Sequence, residues 1–171
     1  GVGEGLSYGV AGTTHHAIED IAIMTSIPDM TVISPGDPKE VEMAIKKSLM
    51  LDGPCYIRLG KNGEPVLHNS DFEFDIGKGT ILKKGKDIVI FATGNMLETA
   101  IEVSKILDES SIDAEVISLH TLKPIDEEII YEETLNKRMI ISIEEHVKTG
   151  GLGSKIADVL MDKMIVKKFI K

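Results

Sequence analysis

The chain has 171 residues, 42% of them hydrophobic and 27% charged, with a formal net charge of −9, the composition of an ordinary globular protein of one or two domains. The acidic balance argues against nucleic acid, which rewards a basic surface, and no run approaches the roughly 20 apolar residues that a membrane helix needs. A single cysteine, Cys55, excludes an internal disulfide framework and a cysteine-based zinc cluster, which makes the cytoplasm the default compartment.

The opening Gly1-Val2-Gly3-Glu4-Gly5 has neither the basic start nor the apolar core of a signal peptide. The missing initiator Met predicts that the chain lies inside a longer protein. Glycines recur at positions 1, 3, 5, 9 and 12. A dinucleotide fingerprint would need a strand before them and a helix directly after, so the expectation is a flexible loop close to a ligand. The loop runs into Gly12-Thr13-Thr14-His15-His16. Ile18, Ile21, Ala22 and Thr25 follow at helical spacing, which predicts an amphipathic helix over residues 16–26 ended by Pro28. Two imidazoles at a helix start can face a bound molecule and titrate near neutral pH. The plainer alternative is that His15 and His16 only begin the helix, one of them bonded to the backbone.

Residues 30–34 are a short β-branched run, as in a buried parallel strand. Asp37-Pro38-x-Glu40 then reads as an N-cap, a proline at the first helical position and a capping-box glutamate. Val41, Ala44, Ile45, Ser48 and Leu49 give that helix one mostly apolar face. Gly53-Pro54 breaks it, and residues 55–59 form the next strand, with Cys55 as a small buried hydrophobe. This βαβ pattern predicts α/β architecture. Residues 60–75 lose all periodicity and are the linker candidate, with a boundary near residue 70 separating residues 1–68 from 69–171.

Beyond it, strands are expected at 78–84 and 87–92 around Gly85, then a helix after Thr93-Gly94-Asn95 with Leu97, Ala100, Ile101, Ile106 and Leu107 inside. A strand at 114–119, a helix from Pro124-Ile125-Asp126 to about Leu135, and a buried strand at 139–143 follow. Gly150-Gly151-x-Gly153-Ser154 opens a last helix, and a strand spans residues 166–170. There is no internal repeat. Glu144, Glu145 and His146 invite an acid–base or metal reading, but adjacent carboxylates in a strand point to opposite faces. The Gly150–Gly153 turn can bind an anion at a helix start or simply make a tight turn. His68 and His120 have no partners at metal-ligand spacing and read as structural or exposed.

Three pieces in order, Gly12-Thr13-Thr14-His15-His16, Ser26-Ile27-Pro28-Asp29-Met30 and Val32-Ile33-Ser34-Pro35-Gly36-Asp37, resemble the second half of the pyrimidine-binding domain of transketolase-type enzymes. The rest resembles the transketolase C-terminal domain through Ala92-Thr93-Gly94, Leu119-His120-Thr121-Leu122-Lys123-Pro124-Ile125-Asp126 and Glu144-Glu145-His146 before Gly150-Gly151-Leu152-Gly153. The fold class this implies is α/β: a partial parallel-sheet pyrimidine-binding domain followed by a C-terminal-like α/β domain.

The resemblance implies thiamine diphosphate and magnesium as cofactors, and transfer of a two-carbon ketol unit between phosphorylated sugars. It places His15 beside the cofactor's aminopyrimidine and the substrate's reacting oxygen, with His16 next to it at a position usually held by Gln. It places Arg58, at the end of its strand, on the sugar phosphate, a bidentate task that suits arginine; the competing reading is a surface arginine paired with Asp or Glu. Lys61 is a possible helper. Ala11 stands where the family has a substrate-contacting Asp, in a longer loop that includes Ser7 and Tyr8. The glutamate that activates the thiamine ring and the motif that holds magnesium and diphosphate are absent, and Glu4 is too close to the turn to serve as that glutamate. The chain alone is therefore expected to be inactive, with no metal ligands of its own. It would act as a homo-oligomer or with an N-terminal subunit. The rival readings are a 1-deoxyxylulose-5-phosphate synthase, a 2-oxo-acid dehydrogenase β-subunit and a non-catalytic assembly module.

Overall fold

The computed structural model describes residues 3–69 and 71–171. Its larger sheet has five strands in the order β10-β9-β6-β7-β5, from Lys168–Ile170 (β10), Met139–Ile143 (β9), Ile88–Ala92 (β6), Ala114–Ser118 (β7) and Thr80–Lys83 (β5). All neighbours are parallel except the edge pair β5–β7. The central strands are largely apolar because both faces are covered. Val89, Phe91, Ile117 and Ile140 point to one face, where they pack with Ile130 of α4 (Glu127–Leu135) and with Leu152 and Ile156 of α5 (Leu152–Asp162). Ile88, Ile90, Ala114 and Val116 point to the other, against Leu97 and Ala100 of α3 (Met96–Glu109). The period of two along each strand thus divides one hydrophobic run between two cores.

A second sheet has the order β4-β3-β8, from Cys55–Ile57, Thr31–Ile33 and Thr121–Lys123. Its outer strand β8 comes from beyond residue 70 and pairs antiparallel with β3. No strand was expected at 121–123: its residues follow β7 so closely that periodicity cannot separate them. The two segments are therefore joined by a shared sheet as well as by a linker. One core reflects this, since Ile21 and Val32 pack into the same cluster as Phe91, Leu119 and Leu122.

The helix expected over 16–26 begins only at Asp20, as α1 (Asp20–Ser26). His16–Ala17 instead form β2, parallel to β1 (Gly3–Glu4), so ladder pairing takes the residues that the periodicity assigned to the first turn. The helix after Asp37, α2 (Pro38–Ser48), is capped nearly as expected: Asp37 accepts from Glu40 N at 2.8 Å. The Glu40 carboxylate reaches back one residue further than a capping box does, to Gly36 N at 2.6 Å. Cys55 is half-buried.

The aperiodic stretch after β4 is packed: His68 and Phe74 are buried, and Phe74 joins Ile33 and Ala44 in a third core while stacking on His120 at 4.0 Å. Among the described residues no helix is long and apolar enough to cross a membrane. Phe74→Ala is expected to cost about 3–5 kcal/mol, read as a lower urea midpoint. A loss near zero would show that this stretch contributes nothing to the core.

Candidate active site

The glycine-rich loop ends in two consecutive 3-10 turns, Gly9–Ala11 and Thr13–His15, joined at Gly12. Gly12 has φ 76°, which a side chain would strain, so glycine is needed where one turn hands over to the next. The second turn closes by His15 N donating to Gly12 O at 3.0 Å and leaves the His15 side chain exposed. His15 Nδ1 lies 2.9 Å from Thr14 Oγ1. His16 extends into β2 and turns back towards the loop, with Nε2 3.4 Å from Gly9 O. The adjacent histidines thus face different surroundings. Tyr8 sits beside the turn, its ring centroid 6.3 Å from that of His15, and Lys61 Nζ lies 5.6 Å from the Tyr8 ring.

Arg58 does stand at the end of β4, but its guanidinium points inward and its side chain is 1% exposed. Nη1 donates to Glu4 Oε1 at 2.8 Å and Nε to Asp20 Oδ2 at 2.8 Å. Nη2 donates to the carbonyls of Ala17 at 2.7 Å and Glu145 at 2.9 Å. Tyr56 completes the cluster through its hydroxyl on Asp20 at 2.8 Å. The placement of Arg58 on a substrate phosphate is therefore corrected: every nitrogen of its fork is occupied by the protein. The partner lies not on the surface, as the competing reading supposed, but in the interior. Nothing in the local sequence pairs Arg58 with Glu4 and Asp20, 54 and 38 residues away.

One guanidinium serves two carboxylates here, and burial dominates. It pushes the Glu4 carboxyl from 4.5 up to about 7, against Arg58, which pulls it down. Glu40 rises from 4.5 to about 7 for the same reason, opposed by His68. His68 lies between Asp37, 3.1 Å from Nδ1, and Glu40, 3.3 Å from Nε2. Burial works against the Asp37 charge, yet His68 and the N–H groups of Glu40, His68 and Leu67 hold its carboxyl well below the usual range. His120 is buried, which drives its imidazole from 6.5 down to about 3 and keeps it neutral. Both histidines are structural.

Glu144 and Glu145 lie beyond the end of β9 and do not form a carboxylate pair. Glu144 accepts from Leu152 N at 2.6 Å and Gly153 N at 2.8 Å, so the Gly150–Gly153 turn does bind an anion, the protein's own. Glu145 Oε2 accepts from Asn95 Nδ2 at 2.7 Å. Among the described residues no group of three or more His, Cys, Asp or Glu is placed to hold a metal ion. A cleft of about 340 Å³ opens beyond the carboxyl ends of β3 and β4, lined by Gly36, Asp37, Leu59, Lys61, Asn62 and Asn95 among others.

Comparison with known proteins places these features in a family. The profile of the transketolase C-terminal domain matches residues 77–169, and that of the transketolase pyrimidine-binding domain matches residues 2–64. A protein of Methanocaldococcus jannaschii, provisionally named transketolase C-terminal section, is 37% identical over 98% of this chain and 52% of its own length. An apulose-4-phosphate transketolase subunit of Phocaeicola vulgatus is 34% identical over 99% of this chain and 55% of its own length. A solved split-gene transketolase, described as an inactive β4 tetramer, superposes with a TM-score of 0.89 at 37% identity, covering 99% of this chain and 55% of that one. The chain thus spans about half the length of the curated relatives it matches.

Arg58→Met is expected to destabilise by about 3–5 kcal/mol, because it leaves Glu4 and Asp20 buried without their partner; chemical unfolding measures it. The raised carboxyls of Glu4 and Glu40 set a pH dependence with a definite sign. The folded state holds protons that the unfolded state releases, so their contribution is complete below pH 4.5 and is lost as pH rises through about 7. Thermal midpoints should fall between pH 5 and about 8, and Glu4→Gln should flatten that fall. An unchanged slope in Glu4→Gln would refute the assignment.

Proposed function

The chain belongs to the transketolase family, and we propose that it forms part of a thiamine-diphosphate-dependent enzyme that transfers a two-carbon ketol unit between sugar phosphates. The observation that carries this reading is the exposed His15 imidazole, held on a 3-10 turn that follows Gly12 within the stretch that matches the pyrimidine-binding profile. An exposed imidazole with Tyr8 and the fully exposed Val10 nearby suits an aromatic cofactor ring. Among the described residues no His, Cys, Asp or Glu cluster is placed to hold magnesium, and in this reading magnesium and the diphosphate are held by another part of the enzyme. Thiamine diphosphate, when bound, would stabilise negative charge on the transferred unit.

In this reading His15 is the catalytic residue of the chain. In the tautomer that accepts from the Thr14 hydroxyl at Nδ1, Nε2 carries the proton and donates to the substrate oxygen as charge develops there. Near neutral pH the same imidazole can pass that proton on. His16 is given the lesser part of supporting the turn from β2. The phosphate passes from Arg58 to Lys61, an exposed ammonium on the Tyr8 side of the turn and at the edge of the cleft. Arg58 acts indirectly: it ties Ala17, two residues beyond His15, to Glu4 and Glu145 and so holds the turn in place. The chain would be inactive alone and would complete its site with an N-terminal subunit or a second copy, in the cytoplasm.

Calorimetry of thiamine diphosphate and magnesium tests this on the full-length chain alone and mixed with its N-terminal partner. Binding is expected only in the mixture, weakened about tenfold or more by His15→Ala. No binding in either sample would instead support an assembly module. Lys61→Ala is expected to raise KM for a phosphorylated acceptor by roughly tenfold, with kcat little altered.

A further inference from the structure

The Tyr8 ring lies beside both of the groups just assigned to substrate. It is seated by the backbone: a Cβ at Gly3 would lie 2.2 Å from Tyr8 Cε2, so the ring occupies the space that only glycine leaves over β1. The loop around it is tied down on both sides. Ser7 N and Ser7 Oγ both donate to Glu4 O, at 3.1 and 2.6 Å, and Ala11 N donates to Tyr8 O at 2.8 Å. Glu4 itself is fixed by Arg58. Lys61 by contrast is a flexible side chain in an exposed stretch between Gly60 and Gly63. Its ammonium is drawn to the ring face by cation–π attraction, 5.6 Å from the centroid. His15 meets the same ring at 6.3 Å, tilted by 52°.

We propose that Tyr8 is a specificity-determining positioning residue: its ring sets the separation between Lys61 Nζ and the His15 imidazole, and with it the length of phosphorylated sugar the site prefers. This rests on the reading of His15 as the partner of the reacting oxygen and Lys61 as that of the phosphate. A substrate with its anion at one end and its carbonyl oxygen at the other must span both groups at once. A lysine held on a fixed ring favours one span, whereas a free lysine would follow acceptors of several lengths.

The test uses the full-length chain in complex with its N-terminal partner. It measures kcat and KM for aldose phosphates of increasing carbon-chain length, and for glycolaldehyde, which has no phosphate. Tyr8→Ala is expected to raise KM for the best phosphorylated acceptor about fivefold, to compress the spread of KM across the series, and to lower kcat/KM less for glycolaldehyde than for any phosphorylated acceptor. Tyr8→Phe, which keeps the ring, should restore the spread. A Tyr8→Ala enzyme whose kcat falls equally for all acceptors, or whose KM spread is unchanged, overturns the proposal. Absence of ketol transfer in the wild type would instead overturn the parent reading. In that case NMR titration with inorganic phosphate decides: coupled shifts of the His15 and Lys61 resonances that vanish in Tyr8→Ala support the role of the ring, and their absence in the wild type overturns it.

Discussion

The fold around the candidate site depends on the buried guanidinium of Arg58. It gathers β1 through Glu4, the end of β2 through Ala17, the start of α1 through Asp20 and the loop after β9 through Glu145. A buried charge is tolerated only when it is paired and its hydrogen bonds are filled. The four segments are therefore held in one arrangement or the charge is stranded. Burial raises the affinity of Glu4 for a proton, against the pull of Arg58, and the Glu145 charge adds to the rise. The cluster joins the residues before position 70 to those after it, as the shared β3–β8 pairing also does.

Much of the remaining polar chemistry is spent internally in the same way. Three helices begin on a carboxylate supplied by the chain: Asp37 for α2, Asp126 for α4 and Glu144 for α5. Each satisfies N–H groups that a helix start leaves open and places negative charge at the positive end of the dipole. A glycine-rich helix start that could receive a ligand phosphate is closed by Glu144. His68 is enclosed by Asp37 and Glu40, and His120 by Phe74. Of the groups with chemistry to offer, His15 and Lys61 are the ones that the fold leaves exposed beside Tyr8. That selection, made by burial, leaves an imidazole and an ammonium exposed beside one aromatic ring.

The order of elements was legible because it is written in local periodicity. The largely apolar runs at 88–92, 114–118 and 139–143 read as buried strands, and Asp37-Pro38 reads as a helix start. Where the reading was misplaced, a distant partner had overridden a local pattern. Residues 16 and 17 fit a helix until β1 pairs with them, and residues 121–123 carry no signal of their own until β3 lies alongside. At the site, the structure shows His15 exposed on a 3-10 turn, where Gly12-Thr13-Thr14-His15-His16 was legible from its residues only as a loop running into a helix start. The seat of Tyr8 on Gly3 was not legible, because close approach of a ring to a backbone leaves no mark on spacing.

By itself, then, the sequence determined an α/β chain with a histidine-bearing turn and family motifs along its length, all properties of residues near one another in the chain. Tertiary structure alone decided what each charged residue is for. Arg58 at a strand end looks the same in sequence whether it faces a phosphate or an interior, because the cost of burying its charge depends on carboxylates 54 and 38 residues away. Only the folded arrangement brings Glu4 and Asp20 to it, and that contact removes Arg58 from the surface.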